Sequence, residues 1–239
     1  YFEKKDNLRS IRILFIPETI GSIAYIHKNL KRLKRNVVGG YVVTCIGDDK
    51  SFSYLETKYG NTISDQAALQ AFKKYKIKFK KYSFLKRGSD ERQFNSPHVN
   101  LNLASIMRSK YGEYKEYHTS LDNFDFVSVK GLEGGFKVLK QSIKYLLKLK
   151  FKKDLNIINN KYPIAKQICE PHLSKRNLTY HLSNLSRLKK KYDLKTEILN
   201  FLQYADGSND IKLIAKYTKS NLRRTRSILK LCKKNKLII

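Results

Sequence analysis

Residues 37–49 have the sequence VVGGYVVTCIGDD, in which a nearly unbroken apolar run ends at a Gly-Asp-Asp turn. A valine-rich run of this length, bounded by turn residues, predicts a buried β-strand over Val37–Ile46. Helices are predicted on both sides of this strand. Ser22–Arg35 has apolar residues at helical spacing, and Thr62–Tyr75 has an alanine-rich apolar side. A strand flanked by two such helices indicates an α/β layer.

The same alternation of strand and helix extends outward to about residue 150. The run RILFI, Arg12–Ile16, ends at a proline and predicts another buried strand. Two more strands are predicted over Lys78–Phe84 and Leu101–Met107, and a long amphipathic helix over Gly131–Leu149. Strands that alternate with helices are joined by crossovers, which favours parallel pairing. We therefore predict that residues 1–150 form an α/β domain with a mostly parallel sheet.

The pattern changes after residue 150. Residues 151–193 are rich in Lys and Asn and contain two prolines, so we interpret them as a connecting segment. Three short helices are predicted to follow, over Thr196–Tyr204, Asp210–Thr218 and Asn221–Asn235. Asp210 and Asn221 lie where N-caps are expected, and the short link between the last two helices is typical of a helix-turn-helix. Residues 194–239 are therefore predicted to form a small winged-helix domain.

Charge and composition limit the function classes. The 239 residues include 50 Lys and Arg against 20 Asp and Glu, a formal net charge of +30. The hydrophobic content of 41% excludes a wholly disordered chain, and no apolar run approaches the ~20 residues of a membrane-spanning helix. The positive charge indicates a polyanionic partner such as nucleic acid. Lysines spread over every segment are also what the drift of an AT-rich genome produces.

The three cysteines, Cys45, Cys169 and Cys232, are far apart and form no CxxC pair. This spacing argues against a disulfide framework and against a thiolate zinc site. Scattered thiols are typical of a reducing compartment, and we predict a cytoplasmic protein. The chain opens without Met and close to its first predicted strand, so we expect an N-terminal part of the domain to lie outside it.

Polar clusters follow three of the predicted strands. Glu18 lies in PETIGS, Asp90 and Arg92 lie in GSDERQF, and His118 lies in YHTSLDN. The carboxyl ends of parallel strands meet at one edge of a sheet, where ligand sites collect. A carboxylate and an imidazole at that edge suit Zn²⁺ binding or proton transfer.

In this order, the segments FIPETIGS, VVTCIGDD, GSDERQF and YHTSLDN resemble the C-terminal half of the zinc-dependent aminopeptidase clan, whose members include glutaminyl cyclases. The phrases ETIGSIAY, SIMRSKYGEYKEYHTSLD and CEPHLSKR are similar to a bacterial aminopeptidase-like family that joins this fold to a C-terminal winged helix. The resemblance covers nearly the whole chain. It implies a three-layer α/β domain of the zinc aminopeptidase type that hydrolyses the N-terminal amide of a peptide or small amide-containing substrate.

The resemblance also implies roles for individual residues. His118 matches a zinc-binding histidine, and Tyr117 matches a tyrosine that stabilises the substrate oxyanion. Glu18 matches an acidic motif that usually holds two glutamates, so it is either the general base or a metal ligand. The nucleophile would be a water whose pKa is lowered by zinc.

Departures from the clan leave the number of zinc ions open. The clan's metal-binding aspartate corresponds to Thr44 here, so either Asp48 or Asp49 takes its place or one of the two zinc ions is absent. The clan's first histidine and bridging aspartate would lie upstream of residue 1, where we expect the remaining ligands. Asp90 and Arg92 are candidates for substrate binding, or for pairing with each other.

The last predicted helix supports an alternative function. It carries the densest arginine cluster of the chain, Arg223, Arg224 and Arg226, where a recognition helix would contact DNA. The resemblance implies a winged helix without implying DNA binding, and a basic helix face can also be merely solvated. The alternative is a nucleic-acid-binding winged-helix protein in which a degenerate hydrolase fold serves as the scaffold.

Overall fold

A computed structural model describes residues 2, 9–150, 158–176, 178 and 193–239. It divides into two compact units. The first is built from the described residues of Tyr1–Asn95 and Leu101–Lys153, and the second from those of Ser96–Asn100 and Asp154–Ile239. Parts of the predicted connecting segment, 151–193, lie outside the described residues.

The first unit contains a four-stranded sheet with the strand order β1-β4-β2-β3. The strands are β1 (Gly40–Val43), β2 (Ser53–Leu55), β3 (Lys80–Tyr82) and β4 (Leu103–Met107). β1 is parallel to β4 and β2 is parallel to β3, whereas β2 and β4 are antiparallel. The sheet is therefore mixed, with the predicted parallel pairing in two of its three strand pairs.

The strand predicted over Arg12–Ile16 does not form. Residues 10–16 have no regular secondary structure, and their backbone groups make no hydrogen bond to the described residues. The side chain of Ile13 is 72% exposed and that of Phe15 is 95% exposed. The prediction was wrong because an apolar run becomes a strand only when another strand pairs with it. β2 was not predicted, because three residues are too few to show a period.

The helices of the first unit cover both faces of the sheet. They are α1 (Ile20–Asn36), α2 (Ile63–Lys74), α3 (Glu91–Phe94) and α4 (Val129–Lys148). α2 and α4 pack on the face formed by Tyr54, Ala104 and Ile106. Side chains alternate along a strand, so Ser105 lies on the other face, where its hydroxyl donates to Glu91 of α3. α1 packs against α3, and the predicted three-layer arrangement is confirmed.

Helix α4 approaches the chain that follows β1 through two glycines. A Cβ atom on Gly131 would lie 1.9 Å from the carbonyl oxygen of Gly47, and one on Gly135 would lie 2.4 Å from the side chain of Ile46. Both distances are far below van der Waals contact, so only glycine fits at these positions. The helix thereby fixes the chain after β1, which borders the site described below.

The second unit contains α5 (Leu194–Tyr204), α6 (Ile211–Tyr217) and α7 (Leu222–Lys234). Asp210 and Asn221 cap α6 and α7 as predicted, because their side chains accept backbone hydrogen bonds from the first turn of each helix. Ala165 forms an antiparallel bridge with Ile238. Part of the predicted connecting segment therefore pairs with the end of the winged helix. No helix within the described ranges has the length and apolar sequence needed to cross a membrane.

Candidate active site

The loop that follows β4, residues 108–127, carries Tyr117 and His118, and the carboxylate of Asp48 fixes its start. Asp48 is 2% exposed. Its two carboxylate oxygens accept hydrogen bonds from the Ser109 hydroxyl at 2.7 Å, the Ser109 amide at 2.8 Å and the Lys50 amide at 3.0 Å. These bonds give Asp48 a loop-anchoring role. Its predicted role as a metal ligand stays a prediction, and Asp49 is exposed to solvent.

A second buried carboxylate, Glu91, fixes the same loop from the other side. Glu91 is fully buried and accepts hydrogen bonds from the amides of Gly88 and Ser89 at 2.7 and 3.0 Å. It also accepts one from the Tyr111 hydroxyl at 2.7 Å. Burial raises the pKa of Tyr111, and the charge of Glu91 raises it further. The hydroxyl therefore stays protonated and keeps donating to Glu91.

An aromatic cluster supports Tyr117 and His118. The rings of Tyr117 and His118 are stacked with their centroids 4.0 Å apart, and Tyr117 meets Tyr114 edge-on at 5.5 Å. Tyr114 in turn stacks on Phe126 at 5.0 Å. Tyr117 is half-buried and His118 is exposed. The cluster orients the phenol and the imidazole with respect to each other before any ligand arrives.

Cys45, which sequence reasoning assigned no role, connects this cluster to the end of β1. Its backbone has the left-handed φ of 46°, an uncommon conformation for a residue other than glycine. Its sulfur accepts a hydrogen bond from the Tyr114 hydroxyl at 3.4 Å, and its carbonyl accepts one from the Arg108 amide at 2.8 Å. The only sequence signal was its position at the end of a predicted strand, just before Gly47.

Glu18 lies in the turn before α1, which Asp90 and Arg92 hold in place. Thr19 has a φ of 64°, and its amide donates to the Asp90 carboxylate at 2.7 Å. The Ser22 hydroxyl donates to the same oxygen at 2.8 Å. Arg92 donates to the Thr19 hydroxyl at 2.5 Å. The two predicted substrate-binding residues thus fix the backbone beside Glu18, and substrate binding by them stays a prediction.

The predicted cluster that holds Asp90 and Arg92 reaches the site by a different path from the one predicted. β3 runs in the opposite direction to β1 and β4, so its carboxyl end does not lie at the edge where those strands end. The chain returns along Ser83–Asp90, and the contacts of Asp90 and Glu91 place it at the site. The convergence of the clusters therefore depends on loops as much as on strand direction.

The electrostatics of Glu18 show which side chains share its surroundings. Partial burial raises the pKa of the Glu18 carboxyl above its ordinary value of 4.5. The nearby charge of Asp90 raises it further, whereas Arg92 and His118 lower it. Although the side chain reaches solvent, the net effect is an upward shift. Asp90, Arg92 and His118 are therefore close enough to Glu18 to change its pKa.

Tyr117 belongs to the same group. Burial raises the pKa of its hydroxyl, and the neighbouring Cys45 and Glu18 raise it further, while Arg92 lowers it. A phenol with a raised pKa remains a hydrogen-bond donor at neutral pH. The structure therefore brings together a carboxylate able to accept a proton, a phenol able to donate a hydrogen bond and an exposed imidazole.

The side chains around Glu18 and His118 provide only part of what the predicted zinc site requires. A tetrahedral zinc site uses four ligands drawn from His, Cys, Asp, Glu and, in catalytic sites, water. Glu18 and His118 provide one carboxylate and one imidazole, but the described residues contain no group of three such side chains arranged to hold a metal ion. The described residues therefore do not assemble a complete zinc site. That the remaining ligands lie upstream of residue 1 stays a prediction.

In the second unit, the three predicted DNA-contacting arginines have different surroundings. Arg224 forms a two-pronged ion pair with Glu197 of α5, with its Nε 3.0 and 3.1 Å from the two carboxylate oxygens. Glu197 raises the pKa of Arg224 through these bonds. Arg223 and Arg226 are exposed on α7. Arg224 therefore holds α7 against α5, and the other two face solvent.

Comparison with known proteins identifies the family. The family model described as "Domain of unknown function (DUF4910)" matches residues 2–148. The chain belongs to this family. A model described as winged helix-turn-helix matches residues 161–239, so a winged helix follows the DUF4910 region, as predicted.

Two relatives from Clostridium acetobutylicum support the fold. One protein, provisionally named a polysaccharide biosynthesis protein with an aminopeptidase-like domain, is 38% identical over 170 residues, which are 71% of this chain and 36% of that protein. A crystal structure provisionally described as a peptidase is 30% identical with a TM-score of 0.52, over 93% of this chain and 46% of that one. A zinc aminopeptidase from Bacillus subtilis is 17% identical with a TM-score of 0.43, over 55% of this chain and 34% of that one. A likeness with so low a TM-score does not support a conclusion about this chain.

These findings confirm the predicted aminopeptidase-like α/β fold of the DUF4910 region and the winged helix that follows it. The chain spans 36% of the first relative and 46% of the solved structure. The activity of the whole protein is therefore a matter for proposal.

Proposed function

We propose that the DUF4910 region contributes part of the active site of an aminopeptidase-like hydrolase that cleaves amide bonds. The observation that carries the proposal is the convergence of Glu18, Tyr117 and His118, together with the raised pKa of Glu18. A carboxylate whose pKa is raised above its ordinary value is a stronger base than an ordinary glutamate. The aminopeptidase-like name of the Clostridium relative supports the same class of reaction.

In the proposed reaction, a water molecule attacks the carbonyl carbon of the substrate amide and gives its proton to Glu18. The carbonyl oxygen becomes an oxyanion, to which the protonated Tyr117 hydroxyl donates a hydrogen bond. The proton held by Glu18 then passes to the amide nitrogen, and the carbon–nitrogen bond breaks to release an amine. Asp90 and Arg92 hold the turn that carries Glu18 through their bonds to Thr19.

Zinc is the cofactor suggested for this site by the chemistry of Glu18 and His118, since carboxylate and imidazole are both zinc ligands. When bound, zinc would lower the pKa of the attacking water. The two side chains supply only part of a ligand set, so no step above is assigned to the metal. Three further points stay predictions. They are the number of zinc ions (one or two), a peptide or small amide as the substrate, and a cytoplasmic location.

The test uses the protein that contains this chain, assayed on aminoacyl 4-nitroanilides and short peptides. We expect Glu18→Gln to lower kcat by about 10²-fold or more because the proton acceptor is lost. Glu133→Gln is the matched control, since Glu133 is exposed on α4. Bound zinc, measured by elemental analysis, should fall in His118→Gln. Equal rates for wild type and Glu18→Gln, or no cleavage of any amide, would contradict the proposal.

Nucleic-acid binding is the second candidate function, and one observation favours it. Arg223, Arg226, Lys230 and Lys233 are all exposed and recur along α7 at helical spacing. They form a basic stripe in a domain type that often places such a helix in the major groove.

Its test is the salt dependence of binding to duplex DNA. With six or more phosphate contacts, affinity should fall about 10³-fold between 50 and 200 mM salt. Arg223→Ala and Arg226→Ala should each weaken binding. Arg224→Ala is the matched control, because Arg224 is engaged by Glu197. Weak binding that salt does not change would remove this candidate.

A further inference from the structure

The exposed side of helix α1 carries a basic face that no carboxylate neutralises. α1 contains no Asp or Glu, and Lys28, Lys31, Arg32 and Arg35 are all exposed on it. The side chains of Lys28, Lys31 and Arg32 form no ion pair or hydrogen bond with the described part of the chain. Arg35 donates to the side chain of Asn36, which is neutral. The four cations recur at helical spacing, so they share one side of the helix.

Other lysines of this unit have local roles that do not apply in the middle of α1. Lys73 lies in the last turn of α2, where a cation interacts favourably with the helix dipole. Lys80 lies on β3, an edge strand, where a lysine opposes pairing with other chains. Lys28 and Lys31 lie at neither kind of position. Their charge is therefore available to an anionic partner.

The basic face is continuous with the turn that carries Glu18. α1 begins at Ile20, whose amide donates to the Glu18 carbonyl at 2.7 Å. The Ile20 side chain is 77% exposed, and Ala24, one turn further along the helix, is also exposed. Ile26 and Leu33 are buried on the opposite side and fix the rotation of the helix. From Glu18 outward, the exposed side of α1 is thus first apolar and then basic.

The length of α1 determines where anionic groups would lie on a bound chain. A helix rises about 1.5 Å per residue, so Lys28 lies about 12 Å beyond Ile20 and Arg35 about 22 Å beyond it. An extended peptide advances about 3.3 Å per residue, so these distances correspond to about four and about seven peptide residues. No Lys or Arg precedes Lys28 in α1. An anionic group nearer to Glu18 would therefore gain nothing from this helix.

Resting on the proposed hydrolysis at Glu18, we propose that the substrate is a peptide whose carboxylate-rich segment docks on the basic face of α1. This segment begins about four residues beyond the cleaved amide bond. The residues between lie along Ile20 and Ala24 and are small or apolar. A peptide suits this surface better than a nucleic acid does, because the reaction requires an amide bond, which a nucleic-acid backbone lacks. Attraction between the two charged segments also favours their encounter.

The first test compares three octapeptides as substrates of the protein that contains this chain. All begin with leucine and are filled with alanine. One ends in four glutamates, one has the four glutamates directly after the leucine, and one ends in four glutamines. At 50 mM salt the first should have a KM about 10-fold below the other two, and the difference should disappear at 500 mM salt.

The outcomes of this comparison separate the two proposals. Equal KM values for the three octapeptides would overturn the docking on α1 and leave amide hydrolysis standing. No cleavage of any octapeptide would overturn amide hydrolysis, and with it the claim that the docked peptide is a substrate.

The second test neutralises the basic face. The triple variant Lys28→Gln, Lys31→Gln, Arg32→Gln should raise the KM of the glutamate-ending octapeptide about 10-fold, with kcat and the KM of the glutamine-ending one unchanged. A matched control removes the same charge at exposed residues from the last turn of α2 to β3, with Lys73→Gln, Lys78→Gln and Lys80→Gln. An equal rise in KM in both triple variants would show a general effect of net charge and overturn the proposal.

The third test measures docking without catalysis. In fluorescence anisotropy, the labelled glutamate-ending octapeptide should bind the 239-residue chain with a Kd at least 10-fold lower than it binds the α1 triple variant. Equal Kd values would overturn the proposal. A single-stranded oligodeoxynucleotide of the same charge that binds more tightly than the octapeptide, and loses affinity in the α1 triple variant, would assign the basic face to nucleic acid and also overturn it.

Discussion

The loop over residues 108–127 and the segment over residues 9–19 both carry site residues, but they are held very differently. The loop is fixed by two buried carboxylates, Asp48 and Glu91, and by a cluster of aromatic rings. The segment is fixed at its ends, by Arg9 on the end of α4 and by Asp90 on the turn at Thr19. Its middle has no backbone hydrogen bond to the described residues.

The difference separates two uses of a carboxylate. The carboxylate oxygens of Asp48 and Glu91 accept hydrogen bonds from backbone amides and hydroxyls, so these two side chains fix the backbone around them. Glu18 has a raised pKa and reaches solvent, so it remains available for a proton. The half of the candidate site that holds Tyr117 and His118 is therefore preorganised by buried anchors, whereas the position of Glu18 depends on a single turn.

The largest expected effect comes from breaking the loop anchor. Asp48→Ala removes the acceptor of the Ser109 amide, the Ser109 hydroxyl and the Lys50 amide. Leaving these donors unsatisfied in a buried place should lower the free energy of unfolding by about 3 kcal/mol. Urea titration measures this change. Asp49→Ala, at an exposed neighbour, should stay within about 0.5 kcal/mol of wild type, and equal losses for both would refute the anchoring role.

A smaller effect is expected at the turn that holds Glu18. Asp90→Ala removes the acceptor of the Thr19 amide and the Ser22 hydroxyl. Because these hydrogen bonds are only partly buried, their loss should lower the free energy of unfolding by about 1 kcal/mol. The same urea titration checks it. A loss as large as that of Asp48→Ala would show that the turn is anchored as firmly as the loop.

The pH dependence follows from the raised pKa of Glu18. Because the folded state holds this proton more tightly than the unfolded state, stability should fall as pH rises from about 4.5 through the raised pKa. Asp90→Asn removes a negative charge that raises this pKa, so the pKa of Glu18 should move down. Carbon-13 NMR of the Glu18 carboxyl measures it, with exposed Asp125→Asn as the control. An unchanged or higher pKa in Asp90→Asn would contradict the arrangement.

The smallest effect is expected in the middle of the segment. Phe15→Ser should change the stability of the 239-residue chain by less than about 0.5 kcal/mol, because Phe15 is 95% exposed. Phe84→Ser, at a side chain that is 1% exposed, should cost about 3–5 kcal/mol. Thermal unfolding compares the two. A large loss in Phe15→Ser would mean that the phenyl ring is covered.

The sequence predicted elements better than it predicted roles. Periodicity located α1, α2 and α4 because each buries one face against a neighbour within the chain. It failed over Arg12–Ile16, where strand formation depends on a partner that no described segment provides. The anchoring role of Asp48 was also missed, since a residue type does not reveal how many amides point at its oxygens. The role of Cys45 required the position of Tyr114, which is remote in sequence.

Through the contact of Gly131 and Gly135 with the turn after β1, α4 controls the position of the loop over residues 108–127. The Ser128 amide donates to the Gly47 carbonyl at 3.0 Å, one turn before Gly131 meets the same oxygen. A single methyl group at Gly131 would push apart the helix and the strand exit, and the displacement would pass through Cys45 to the Tyr114 ring. Misplacement of reacting groups by about 1 Å costs about 10²-fold in rate. The position of the site residues on this loop therefore depends on Gly131 having a hydrogen atom where any other residue has a Cβ, although Gly131 is remote from Glu18.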